Sequence, residues 1–285
     1  MSALVVDPAL VPTRTSRSVV GGRRTFVGVL RGEWIKLLSL RSTWWVLAAT
    51  AVVIPLISLA AAASLGDMAA DPLQAQALAR VSGAEIVSGG AQLGMISIAV
   101  LGALLITGEY STGMVRSTFA AVPTRLPVLL AKAITLVVIT VAITVVGLVL
   151  AWLVTAPELS RYDVAVRLDE AATWQAWGGI VYFLVAAALF SLGIGAILRS
   201  TAGTVTVALT VLLLLPGVLG FLTLDWVQTI VGYLPLPAAN AFLAVGGDSL
   251  AGASELTALQ GVLVIAAYGL VPLGVASVLL RRRDA

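Results

Sequence analysis

Six stretches of about twenty residues with almost no charge divide this chain, at residues 44–63, 86–106, 133–154, 177–198, 204–222 and 261–280. About 30 Å of hydrocarbon is crossed by about 20 residues at 1.5 Å each, so each stretch has the length of a membrane helix. The second is the weakest, with Ser88, Gly89, Gly90 and Gln92 in its first turns. It counts as a span because the topology fails without it. Of the 285 residues, 60% are hydrophobic and 11% charged, against about 25% charged in soluble domains. Lipid must therefore solvate most of the surface, and the expected fold is an all-α polytopic membrane protein. Pro55, Pro216 and Pro272 lie inside spans. They read as kinks, because neighbouring helices satisfy freed backbone groups. Ser191 and Gly195 on the fourth span allow close helix approach.

The charges set the direction. With the N-terminus inside, the inner segments are 1–43, 107–132, 199–203 and 281–285, and they hold fourteen of the 17 basic residues. The same segments hold only four of the 14 acidic residues. Basic residues near span ends are retained on the cytoplasmic side, so both termini are expected there. The domain organisation follows: a disordered basic tail at 1–26, an interfacial helix at 27–43, the six-span domain at 44–280 and a cytoplasmic tail at 281–285. The first 25 residues do not read as a signal peptide, since Asp7, Pro8 and Pro12 interrupt any apolar segment. The pI near 9.6 does not argue for nucleic acid, because the net charge is only +3. The expected location is the cell membrane, either a bacterial inner membrane or a plasma membrane.

Several chemistries are disfavoured. The chain has no Cys and no His, which removes thiol nucleophiles, histidine acid–base steps and zinc sites of the usual ligands; no metal site is expected. No Asp, Glu, Lys or Arg lies within the six apolar cores, and Lys132 sits at the inner mouth of the third, where its stem can snorkel. Proton relays and ion-coupled carriers normally place ionisable groups at depth. The outer acids Glu85, Asp163, Asp169 and Glu170 form no metal-binding pattern and read as water-facing charges. No GxxxxGK[ST] phosphate loop occurs, so ATP would have to act through another polypeptide.

Two cytoplasmic stretches remain. In VGVLRGEWIKLLSLRSTWW, residues 27–45, a helical wheel places Val27, Leu30, Trp34, Leu37 and Leu38 on one arc. Lys36 falls opposite and Glu33 towards the edge. Trp34, Lys36, Arg41 and Trp44 are candidate interfacial anchors of a helix lying in the membrane surface; a simple basic topology anchor has the same pattern. In ITGEYSTGMVRSTFAAVPTR, residues 106–125, the second span is expected to run to about Tyr110 and break at Ser111-Thr112-Gly113. A short helix from Met114 to Ala120 ends near Pro123. It reads as a docking element for a cytoplasmic partner, or as a polar hairpin facing water.

The succession GEWIKLLSLRSTWW, a span, then ITGEYSTGMVRSTFAAVPTRLPVLLAK resembles the permease subunits of type-2 ABC exporters, the short actinobacterial-type form with a separate ATPase. The Gly-Glu-Tyr-x-x-Gly pattern at Gly108–Gly113, followed by Arg116, Pro123, Arg125 and Lys132, is its most specific part. The resemblance implies an interfacial elbow helix before span one. It also implies a coupling helix at about Glu109 to Arg125 that docks an ABC ATPase subunit, with Glu109, Tyr110, Gly113, Arg116 and Arg125 as docking residues. Re-entrant helices between spans five and six would occupy Asp225 to Leu243. The working unit would pair the chain with a second permease copy or paralogue in the lipid membrane. No cofactor would bind the chain directly, and ATP and magnesium would sit in the partner ATPase.

The chain itself is then a transport subunit with no catalytic residues. Rival readings are a gradient-driven secondary carrier, a membrane enzyme acting on lipids or peptides, and a non-transporting anchor or immunity factor of the same fold.

Overall fold

The structure, a computed structural model, describes residues 25–71, 81–114, 126–243 and 256–282, and among these it contains helices and no strand. The tail 1–24, the connector 115–125 with Arg116 and Arg125, and residues 283–285 lie outside the described residues. Six helical stretches are long and apolar enough to cross a membrane, making this a multi-pass helical membrane protein. Helix α1 (Phe26–Ser39) precedes them. The first span joins α2 (Arg41–Ala63) to the short α3 (Leu65–Ala70). The second joins α4 (Gly83–Gly89) to α5 (Ala91–Ser111). Helices α6 (Leu126–Arg161) and α7 (Ala171–Leu198) are the third and fourth. The fifth comprises α8 (Thr201–Leu209), a π-helical turn (Thr210–Leu214) and α9 (Leu215–Leu219). Two short helices, α10 (Asp225–Gly232) and α11 (Pro235–Leu243), separate it from the sixth, α12 (Ala258–Arg282).

The second and fourth spans form the centre: their apolar windows are 61% and 67% buried, while those of the other four are 33% buried or less. Helix α7 packs along α5 on one side and α12 on another, and α2 lies against both α6 and α5. Leu130, Ile134, Val138, Val145, Val149 and Leu153 run down one exposed face of α6 at helical spacing. That stripe is suited to lipid.

Close packing depends on small residues at the crossings. Ile54 of α2 is fully buried. A Cβ at Gly94 or Gly147 would lie 2.8 Å from its side chain, and one at Gly90 would lie 2.1 Å from its carbonyl oxygen. On α7, a Cβ at Gly193 would meet Pro272 at 2.7 Å, and Gly195 admits Ile106 and Thr107 of α5. The small-residue reading of the fourth span thus has a concrete cause at Gly195.

The second span is interrupted where its sequence is weakest. Gly90 separates α4 from α5, and the Ser58 hydroxyl of α2 bridges the break. It donates to the Val87 carbonyl at 2.7 Å and accepts from the Gly90 N–H at 3.2 Å. Ser58→Ala removes both contacts in a buried site and is expected to cost about 1–2 kcal/mol. A lower melting temperature of the purified protein in detergent would register it; an unchanged one would show that the break holds without the hydroxyl.

Three sequence expectations need correction. The interfacial segment 27–43 is not one helix: Leu40 is extended (φ −80°, ψ 123°), and Arg41 already starts the first span's helix. The third span is not confined to 133–154, since α6 has 36 residues and continues through Pro157 to Arg161. Proline near a helix end removes a single backbone bond, which α6 tolerates. In the fifth span the irregularity precedes Pro216: the Leu215 N–H reaches back five residues to the Thr210 carbonyl, a π-type bond. Pro55 and Pro272 do lie inside continuous helices.

Candidate functional site: a buried ion ring at one end of the bundle

Helix α1 carries Glu33 and Lys36 one turn apart, α5 carries Glu109 in its last turn, and α6 carries Lys132 in its second. The four side chains close into a ring of alternating sign. Lys36 Nζ lies 2.8 Å from Glu33 Oε1 and 2.9 Å from Glu109 Oε1. Lys132 Nζ lies 2.6 Å from Glu33 Oε2 and 2.8 Å from Glu109 Oε1. The side chains of Glu33 and Lys132 are each 3% exposed, that of Glu109 11% and that of Lys36 31%. One ammonium thus faces the outside while its counterpart is sealed in.

Such burial would be costly for any member alone, because a buried charge without a partner is destabilising by several kcal/mol. Helix dipoles do not help either. A carboxylate at the C-terminal end of α5 and an ammonium near the N-terminal end of α6 both oppose the local field. Each is stabilised by the other and by α1. Burial lowers the tendency of Lys36 to hold its proton, but the hydrogen bonds to Glu33 and Glu109 and their charges outweigh that and raise its pKa above the ordinary lysine value. Its contribution to folding is therefore complete below that ordinary value and is lost as pH rises through the raised one.

Several expectations about these residues change. Glu33 belongs to the buried face of α1, together with Leu37, and both pack towards α6; the exposed Val27 does not. Lys36 anchors α1 to the bundle through the ring as well as reaching its edge. Glu109 turns its carboxylate into the protein, so it is not a solvent-facing charge. Lys132 is buried at the mouth of the third span, its ammonium held within the ring. Trp34 is half-buried, while Arg41 and Trp44 are exposed. The Trp44 indole N–H donates to the Leu38 carbonyl at 2.9 Å, tying the end of α1 to the start of α2.

The other side of the α5 terminus is also held. The Thr201 hydroxyl of α8 donates to that of Thr107 at 2.8 Å, and Thr107 in turn donates to Ala103. Arg199, in the left-handed conformation that ends α7 (φ 56°), stands 5.2 Å over the Tyr110 ring. This is a cation–π arrangement. Tyr110 is thus engaged within the bundle. Gly113 follows with φ 71° and open space around it, the left-handed turn that lets the chain leave a helix. The expected break after the second span lies where the sequence placed it.

Sequence reasoning noted Lys36, Glu109 and Lys132 singly and missed their convergence with Glu33. The available signal was two charges placed against their own helix dipoles, Glu109 and Lys132, which implies a mutual partner. Among the described residues no cluster of acidic side chains is grouped to hold a metal. Compared with protein families and with curated proteins, the chain matches no family model and no curated sequence. The resemblance to type-2 ABC permeases therefore rests on the chain's own motifs.

Proposed function

We propose that the chain is the permease subunit of an ATP-driven exporter of the type-2 ABC kind, its path through the membrane coupled to a separate ATPase by the connector 112–125. One observation supports this most: both roots of that connector meet in the ion ring. Glu109 lies two residues before α5 ends, Lys132 lies in the second turn of α6, and they are 2.8 Å apart. Force applied to the connector is thereby delivered to α5, α6 and α1 as one unit, as a rigid-body switch between inward- and outward-facing states requires.

In this reading the partner ATPase binds ATP and magnesium, and this chain contributes no catalytic group. Arg116 and Arg125 orient the docked ATPase through charge complementarity, and a second permease copy or paralogue completes the path. Helix α1 is the interfacial elbow, and α10 with α11 are the re-entrant pair. Both termini are cytoplasmic, in a bacterial inner or plasma membrane. An anchor or immunity factor of the same fold would have no transport step.

The test is co-purification. The tagged chain in mild detergent is expected to bring down a nucleotide-binding protein. Arg116→Glu with Arg125→Glu is expected to lose it while leaving the melting temperature unchanged. Retention of the ATPase by that variant would remove the connector from the docking role. Absence of any ATPase from the wild-type preparation would favour the anchor reading. Glu109 is unsuitable as a docking probe, because altering it breaks the ring.

A further inference from the structure

The interior of the bundle holds two large apolar clusters rather than one continuous core. The cluster nearer the ion ring includes Leu47 of α2 and Leu136 of α6, and the one beyond it includes Ile54 and Leu148 of the same two helices. Between those positions come Thr50 on α2 and Thr140 and Thr144 on α6, all fully buried. Thr140 and Thr144 lie about 12 and 18 Å past Lys132 along the helix axis, near the middle of about 30 Å of hydrocarbon.

A threonine inside a helix can satisfy its hydroxyl by donating to the carbonyl four residues earlier. Thr50, Thr135 and Thr155 do so, at 2.9, 2.7 and 2.8 Å. Thr140 and Thr144 do not, and neither hydroxyl has a partner among the described residues. An acceptor is short of a donor at the same level of α2. Pro55 has no N–H, so the Ala51 carbonyl loses its usual helical bond, and no side chain among the described residues replaces it. Unpaired polar groups are costly in a dry interior, yet these donors and this acceptor sit on two packed helices without meeting. Packing keeps them apart. Ile54 fills the space left by Gly94 of α5 and Gly147 of α6, where a Cβ would lie 2.8 Å from its side chain. Thr140 stands two turns before Gly147 on that same stripe of α6. The ion ring draws its four members from α1, α5 and α6 and none from α2, so α2 is the neighbour against which that unit is free to shift.

We propose that the seam between α2 and α6 is a two-position latch at mid-membrane. In the position described here, Ile54 is seated against the two glycines and the hydroxyls stay unpaired. In the second, Ile54 leaves its seat, α6 turns, and a hydroxyl of the Thr140–Thr144 pair donates to the Ala51 carbonyl. Packing favours the first position and the hydrogen bond favours the second. Opposing terms of this kind make a packed interface bistable rather than continuously deformable. The latch needs no ATPase, so it stands or falls separately from the docking reading.

The chain has no cysteine, so spin labels can be placed at will. Leu59→Cys on α2 and Val154→Cys on α6, both exposed positions, report the seam by double electron–electron resonance in phosphatidylcholine nanodiscs. Gly147→Ala crowds the Ile54 seat and is expected to add a second distance to that of the labelled parent, or to enlarge one already there. Adding Thr140→Val with Thr144→Val is expected to cut that second population about tenfold, equivalent to about 1.4 kcal/mol. Pro55→Ala, which returns an N–H to the Ala51 carbonyl from the other helix, is expected to do the same. Misfolding cannot imitate shifts in opposite directions. The proposal is overturned by a Gly147→Ala chain with the distances of its parent, or by a second population that survives either the threonine changes or Pro55→Ala.

Discussion

Lys132→Met is expected to destabilise the bundle by about 3–5 kcal/mol, the usual consequence of removing one partner from a buried ion pair. Two carboxylates, Glu33 and Glu109, would then face a gap with only the half-exposed Lys36 between them. Thermal unfolding in detergent, together with the monodisperse fraction after purification, measures the loss. Lys36→Met should do less, because its ammonium already reaches the protein's edge and water screens what remains. A sharper test separates a ring from a pair. Exchanging charges in the double variant Glu33→Lys with Lys132→Glu would be nearly neutral for an isolated pair. In the ring it sets the new lysine beside Lys36 and the new glutamate beside Glu109, so stability should stay low. Inverting all four charges restores the alternation and should recover much of it. A stable double exchange would show that the four groups do not act together.

The second large effect concerns adjacent glycines. Gly90→Ala drives a methyl to 2.1 Å from the Ile54 carbonyl oxygen, a backbone atom with no rotamer to yield. Overpacking of this kind costs about 1–3 kcal/mol, and the upper end applies where backbone must move. Gly94→Ala meets only the Ile54 side chain, at 2.8 Å, and should cost less. Gly89→Ala has nothing within 4 Å and should be neutral or mildly stabilising, because alanine loses less backbone freedom than glycine in a helix. Melting temperatures of the three variants should rank Gly90→Ala lowest and Gly89→Ala highest. Equal values would mean that α2 and α5 slide apart at no cost.

How much of this was legible beforehand follows from the range of each interaction. The six spans announce themselves through uninterrupted apolar runs, a signal every residue contributes to. The stop at Gly113 is equally local, since only the residues on either side decide it. The ends of α6 are less legible. Lys132 and Pro157 look like boundaries, yet Lys132 finds buried partners and Pro157 forfeits only one bond. The ring itself joins residues 73 and 99 positions apart, and no periodicity encodes such pairs. A helical wheel of α1 assumes one apolar face and sorts Glu33 by polarity. It cannot know that Lys132 waits on α6 to receive it.

The length of α6 has a mechanical meaning. Its 36 residues extend about 54 Å, against about 30 Å of hydrocarbon. Lying wholly within the apolar layer would demand a tilt of about 56°, beyond the upper limit of about 40° seen for membrane helices. Each end also carries a charged shoulder. Lys132 is bound into its ring at one, and Glu158 is paired with Arg161 at 2.9 Å at the other. The two shoulders stand about 39 Å apart along the axis, so at an ordinary tilt of about 20° the helix has about 7 Å of vertical play. It is a dowel with a collar at each end. Strokes along the membrane normal longer than about one helical turn are closed to it, whereas rocking and turning are not.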